Sequence, residues 1–125
     1  MTTVADFMTP SPLTIGDDQS LAHAHEMMRD HRIRHLPVLH GGKLVGVVSL
    51  GDLHLIETLG ESDLDKIAVE DAMTPDPYVV QPDAELREVA GTMAAHKYGT
   101  AIVARGSKVV GIFTTTDALR ALTQS

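Results

Sequence analysis

Cysteine is absent from the sequence, which excludes disulfides and thiolate metal sites. Tryptophan is absent too, and two tyrosines and two phenylalanines are the whole tyrosine, phenylalanine and tryptophan complement. With 43% of residues apolar, the core must be aliphatic, built from Val, Leu, Ile, Ala and Met. Basic residues are scarce: ten Lys and Arg against 17 Asp and Glu give a formal charge of −7. A nucleic-acid partner needs a basic face to displace counterions, so none is expected. No apolar run approaches the ~20 residues of a membrane span. Residues 1–6 lack the basic and apolar regions of a signal peptide. The expectation is a soluble, cytoplasmic protein with no membrane association.

What the sequence does contain is a repeat. Its 125 residues fit one compact domain, which can bury roughly two-thirds of its unfolded surface. Shifted by 65 positions, Asp6-Phe7-Met8-Thr9-Pro10 falls on Asp71-Ala72-Met73-Thr74-Pro75. Asp18 then falls on Asp83, Leu21 on Leu86, Met28 on Met93, Val45-Gly46 on Val110-Gly111 and Asp52 on Asp117. From residue 6 to residue 56 no gap is needed, and 15 of 51 pairs are identical, where average composition gives roughly three or four. Two similar halves, each too small for a good core alone, are expected to pack about a pseudo-two-fold axis and leave two related clefts. The boundaries read as repeat 1 over 1–59, an acidic linker over 60–69 and repeat 2 over 70–125.

Within a repeat, residues 13–15 read as a short strand and Asp18 as a helix N-cap. Leu21, Ala24 and Met28 recur at helical spacing, which predicts an amphipathic helix over about 20–31. Residues 35–39 are β-rich, with Pro37 expected at an edge or a strand start because it has no N–H for a ladder. Gly41-Gly42 fits a two-residue hairpin turn, residues 43–49 form the return strand, and Ser49 or Asp52 caps a second helix to about Leu59. The second repeat copies this order, with a strand at 78–80, helices over 84–96 and 116–123, and a hairpin about 105–107. The fold class is mixed α/β, a β-α-β-β-α unit used twice.

This order, the repeat length and the motifs resemble the cystathionine-β-synthase (CBS) domain family in its paired form, the Bateman module. The residues that carry the resemblance are Met8-Thr9-Pro10, Met73-Thr74-Pro75, Leu36-Pro37-Val38, and the two strand–helix junctions. Those junctions, Gly46-Val47-Val48-Ser49-Leu50-Gly51-Asp52 and Gly111-Ile112-Phe113-Thr114-Thr115-Thr116-Asp117, are similar to the family's Gly-apolar-x-Ser/Thr-x-x-Asp pattern. The likeness spans nearly the whole chain, with no room for an attached catalytic domain, so it implies a stand-alone regulatory module and not an enzyme.

The resemblance implies adenosine-type ligands: AMP, ADP, ATP or S-adenosylmethionine, with no cofactor required. An ionised Asp accepts hydrogen bonds from both hydroxyls of a ribose, which is the role expected of Asp52 and Asp117. Ser49 and Thr114 add a hydroxyl beside helix N-termini that favour phosphate. Arg34 and His35, in the most basic stretch of the chain, are the phosphate candidates, and an Arg fork suits a phosphate. Thr14, Pro37, Val79 and Thr100 are the candidates around adenine. Ser-x-x-Asp and Thr-x-x-Asp also match a helix capping box with Asp in place of Glu, so both roles stand open for the two aspartates. The counterparts of Arg34 and His35 are Gly99 and Thr100, which predicts unequal sites. The alternative function is a structural or interaction module with degenerate sites. By the same resemblance a homodimer is expected through the amphipathic helices, with a regulated protein partner of unknown kind. The seven histidines are scattered without a chelating motif, so no metal site is expected.

Overall fold

The computed structural model describes residues 2–58 and 63–124. Leu59, expected at the end of the second helix, and Gly60, Glu61 and Ser62 of the linker lie outside the described residues. In chain order the elements are β1 (Thr9–Pro10), β2 (Ile15–Gly16), α1 (Leu21–His31), β3 (His35–His40), β4 (Lys43–Ser49) and α2 (Leu50–Thr58), then β5 (Thr74–Pro75), β6 (Val79–Val80), α3 (Leu86–His96), β7 (Thr100–Arg105), β8 (Lys108–Thr114) and α4 (Thr115–Thr123). No helix among the described residues is long and apolar enough to cross a membrane.

Packing divides the chain into two compact units, one of residues 13–77 and one of residues 1–12 with 78–125. In the 13–77 unit the sheet order is β2-β3-β4-β5. Strand β2 runs parallel to β3, which requires a crossover, and α1 supplies it. Strands β3 and β4 form an antiparallel hairpin closed by Gly41 and Gly42, whose φ angles of 56° and 83° are the left-handed values that a type I′ turn requires. Strand β5 then adds antiparallel to β4. The other unit repeats this plan as β6-β7-β8-β1. Here the final edge strand comes from the N-terminus, since β1 pairs with β8.

Each unit has its own aliphatic core. Leu21, Ala24, Met28, Leu36, Val38, Val48, Leu53 and Val69 are buried together in one. Val4, Val89, Met93, Ala101, Val103 and Phe113 are buried in the other. Helices α1 and α3 turn these apolar stripes inward and end alike, at Arg32 and Lys97, both left-handed, each with its N–H returned to the last turn. The methionines of the two Met-Thr-Pro segments sit over the glycines of the long strands. A β-carbon on residue 46 would lie 2.6 Å from Met73 Sδ and 2.8 Å from the Thr74 carbonyl oxygen, and one on residue 111 would collide with Met8 Sδ. The two motifs are therefore one packing feature.

Three local expectations need correction. Ser20, not Asp18, is the N-cap of α1: its hydroxyl accepts from the His23 N–H at 3.1 Å. The reason is tertiary. The chain at Ser20 is still bridged to Ala68, and the Leu21 N–H donates to the Ile67 carbonyl at 2.8 Å, so the helix cannot begin sooner. The short strand is Ile15–Gly16, which begins two residues later than the 13–15 reading and ends one residue later. Pro37 lies neither at a strand start nor on an edge strand, but inside β3 between β2 and β4, opposite Val47. It is tolerated because β2 begins pairing only at Val38. The equivalent Ile102 shows which way the missing donor points, since its N–H reaches the Tyr78 carbonyl at 2.8 Å.

Candidate functional site

In the 13–77 unit, β4 runs into α2 without an intervening loop. The Leu50 N–H donates to the Arg34 carbonyl at 2.8 Å, which holds the start of α2 against the chain entering β3. His35 lies opposite Ser49 in the ladder. Arg34, His35, Ser49, Leu50, Gly51 and His54 consequently line one open pocket of about 460 Å³.

Asp52 forms a reciprocal box with Ser49. Its Oδ2 accepts the Ser49 N–H at 2.8 Å, and the Asp52 N–H donates to Ser49 Oγ at 3.1 Å. The capping role is thus real, and it satisfies two backbone donors that the helix start leaves without partners. It also leaves capacity over. Among the described residues, Asp52 Oδ1 accepts no hydrogen bond and the Ser49 hydroxyl donates none. Both groups are half-buried. Ser49 shares its pocket with two imidazoles and a guanidinium, at a helix N-terminus that favours anions, while Asp52 is not among the lining residues and bears on the pocket through its charge on His35. Burial pushes the His35 pKa below its ordinary 6.5, partly opposed by the nearby Asp52 carboxylate and reinforced by the Arg34 charge.

The junction in the other unit copies the backbone and changes the chemistry. The Thr115 N–H donates to the Gly99 carbonyl at 3.2 Å, as Leu50 does to Arg34. Thr100 lies opposite Thr114, as His35 lies opposite Ser49. Asp117 Oδ2 accepts the Thr114 N–H at 2.9 Å, and the Asp117 N–H donates to Thr114 Oγ1 at 3.3 Å. Here, however, the Thr114 hydroxyl turns onto Asp117 Oδ2 at 3.1 Å, and Arg120 Nη2 stands 3.2 Å from Asp117 Oδ1. Asp117 is only 5% exposed. The neighbouring cavity, about 460 Å³, is a mostly apolar groove walled by Ala90, Met93, Ala94, Ala118 and Leu119, with Lys97 its one charged wall residue among the described residues.

The remaining sequence candidates are placed as follows. Thr14 is half-buried just before β2, and Pro37 is buried in β3. Val79 is 47% exposed in β6, and Thr100 is buried at the start of β7. None of the four lines the pocket at Arg34. Sequence reasoning missed His54 and Arg120. His54 is one of the seven scattered histidines of the sequence, and it stands on α2 two residues after Asp52, one turn along from Leu50. For Arg120 the available signal was the three-residue spacing from Asp117, a contact distance on a helix. No group of three His, Asp or Glu among the described residues is arranged to hold a metal ion.

Two β-α-β-β-α sheets, each ending in a Ser/Thr-x-x-Asp junction, define a paired α/β module. The CBS domain model matches residues 4–55 and again residues 69–124, and the chain belongs to the CBS domain family. Among solved structures, CBSX2 of Arabidopsis thaliana in complex with AMP is 31% identical with a TM-score of 0.83, over 99% of this chain and 98% of that one. The CBS domain pair of protein MJ0100, solved with 5′-methylthioadenosine and S-adenosyl-L-methionine, is 26% identical with a TM-score of 0.90, over 99% and 98% of the two chains. Among curated proteins, the zinc metalloprotease MJ0392 of Methanocaldococcus jannaschii is 32% identical over 94% of this chain. The chain spans only 31% of that relative's length.

Proposed function

We propose that the protein is a regulatory module that binds an adenosine-type ligand, and that the Ser49–Asp52 junction is the site. One observation carries this reading: among the described residues Asp52 Oδ1 and the Ser49 hydroxyl proton have no protein partner, and Ser49 lines the pocket of Arg34, His35 and His54. Asp52 Oδ1 takes a ribose hydroxyl, while Arg34 and His35 take phosphate. Pro37 has no N–H to offer the Leu13 carbonyl, so that oxygen is an acceptor for an adenine amino group near Thr14. In the other unit the corresponding positions are Val79, Thr100, Asp117 and Thr114. The solved relatives with AMP, 5′-methylthioadenosine and S-adenosyl-L-methionine support the adenosyl class. The role is binding, not catalysis, and the readout is a conformational preference that needs different ligand affinity in two states. Isothermal titration with AMP tests it: micromolar to millimolar binding abolished by Asp52→Ala is the expected result, and wild-type protein that ignores AMP, ADP, ATP and S-adenosylmethionine overturns it.

A second reading, an interaction module, is favoured by one feature of the 1–12 and 78–125 unit. Leu119 is 63% exposed beside the apolar groove of α3 and α4. The equivalent of Leu119 on α2 is His54, and the equivalents of Ala90 and Ala94 on α1 are His25 and Arg29. We assign the apolar face to a second copy of the chain, so that homodimer and ligand site occupy different helices.

A further inference from the structure

The two junctions share a backbone, yet their aspartates are used differently, and the difference traces to one side chain. Arg120 Nη2 stands 3.2 Å from Asp117 Oδ1 and donates to the Phe7 carbonyl at 2.8 Å. The carbonyl is held in place by the short 3₁₀ turn Val4–Asp6, whose own cap bond is Phe7 N–H to the Val4 carbonyl. Arg120 is thus fixed from both sides. The position equivalent to Arg120 in the first repeat is Leu55, and the equivalent of Phe7 is Ala72. Leu55 has no group to pair with a carboxylate, and Asp52 Oδ1 accordingly accepts nothing among the described residues.

We propose that Arg120 is the residue that closes the Asp117 junction to a ribose diol, which leaves the Asp52 junction as the chain's one adenosine site. A diol needs free carboxylate acceptors. At Asp117, Oδ1 faces the guanidinium, and Oδ2 already accepts the Thr114 N–H and the Thr114 hydroxyl. A sugar would have to displace Arg120 from Asp117 and break the hydroxyl bond as well. The exchange is also less rewarded at the strand entrance, because Gly99 and Thr100 stand where Arg34 and His35 do, and Lys97 is the one charged residue lining the neighbouring groove among the described residues. Arg120 acts through Asp117, so it is a specificity-determining, positioning residue with no ligand contact of its own.

The inference rests on the adenosine reading of the Asp52 junction, and counting bound AMP separates the two. Wild-type protein is expected to take one AMP per chain by equilibrium dialysis. Arg120→Leu, which installs the residue of the first repeat, is expected to take two, the second at least tenfold tighter than any second binding by wild type. Leu55→Arg should lose the single wild-type site, and Asp117→Ala in the Arg120→Leu background should return the count to one. A structural role for Arg120 would lower the melting temperature without raising the count. Two AMP per chain in wild type, or a count of one in folded Arg120→Leu, overturns the inference and leaves the adenosine reading standing. No binding by wild type or by Arg120→Leu overturns both. Should Arg120→Leu fail to fold, Arg120→Ala carries the same test, since it too removes the guanidinium without adding apolar bulk.

Discussion

Met73 occupies the space that a β-carbon on residue 46 would need, with its sulfur 2.6 Å from that position and the Thr74 carbonyl oxygen 2.8 Å from it. One obstacle is a flexible side chain and the other is backbone. At Gly111 the three nearest atoms all belong to the Met8 side chain. Gly46→Ala is therefore expected to cost about 1–3 kcal/mol, the range for overpacking a core, and Gly111→Ala less. Urea denaturation of both checks the order. Met8→Ala should be non-additive with Gly111→Ala, because the two residues contend for the same space.

Truncating the two aspartates should give different phenotypes. Asp52→Ala removes a cap and lowers stability by about 1 kcal/mol, while AMP binding is lost. Asp117→Ala should cost more, about 2 kcal/mol, because a buried carboxylate that serves the Thr114 N–H, the Thr114 hydroxyl and Arg120 disappears. AMP binding should survive it. Chemical denaturation and titration calorimetry on the same preparations read both quantities.

Arg34→Ala should weaken AMP by about tenfold to a hundredfold, the equivalent of a charge-assisted hydrogen bond worth about 1.5–3 kcal/mol. Adenosine, which has no phosphate, should be unaffected. An equal loss for both ligands would remove Arg34 from phosphate recognition.

His35 makes stability depend on pH in a defined direction. Burial lowers its folded-state pKa beneath the unfolded 6.5. Between those two values the unfolded chain holds more protons, so stability rises with pH and is lost as pH falls through 6.5. Below the folded-state pKa the penalty levels off. The melting temperature of wild type should therefore fall more steeply than that of His35→Thr between pH 7.5 and pH 5. One proton bounds the corresponding difference in the slope of unfolding free energy against pH at about 1.4 kcal/mol per pH unit. Parallel curves would remove His35 from the pH response.

Leu119→Glu places a charge on the apolar face of α3 and α4. Sedimentation equilibrium is expected to show a dimer for wild type and a monomer for this variant. A wild-type monomer at high micromolar concentration would refute the dimer.

Much of this architecture is legible in the chain because its signals are local. Gly41 and Gly42 announce the hairpin, Leu21, Ala24 and Met28 announce α1, and the 65-residue offset carries every element over to the second half. Ser49 and Asp52 could be read as a cap, as a sugar site or as both, since one spacing serves all three. What stayed hidden depends on partners distant in sequence. The N-cap of α1 is set at Ser20 by Ile67 and Ala68, and Pro37 fits because β2 starts late. The contact of Arg120 with Phe7 spans 113 residues. No periodicity reports such a contact.

The crossing of the edge strands bears on how the chain can be cut. All four strands of one sheet lie in the continuous stretch 13–77, whereas the other sheet draws β1 from the N-terminus. A fragment made at the repeat boundary, 70–125, would leave β8 with a bare edge open to pairing with neighbouring molecules. Anyone dissecting the protein should excise 13–77, a piece whose ends ignore the sequence duplication, or join residues 1–12 to 78–125 by a short bridge.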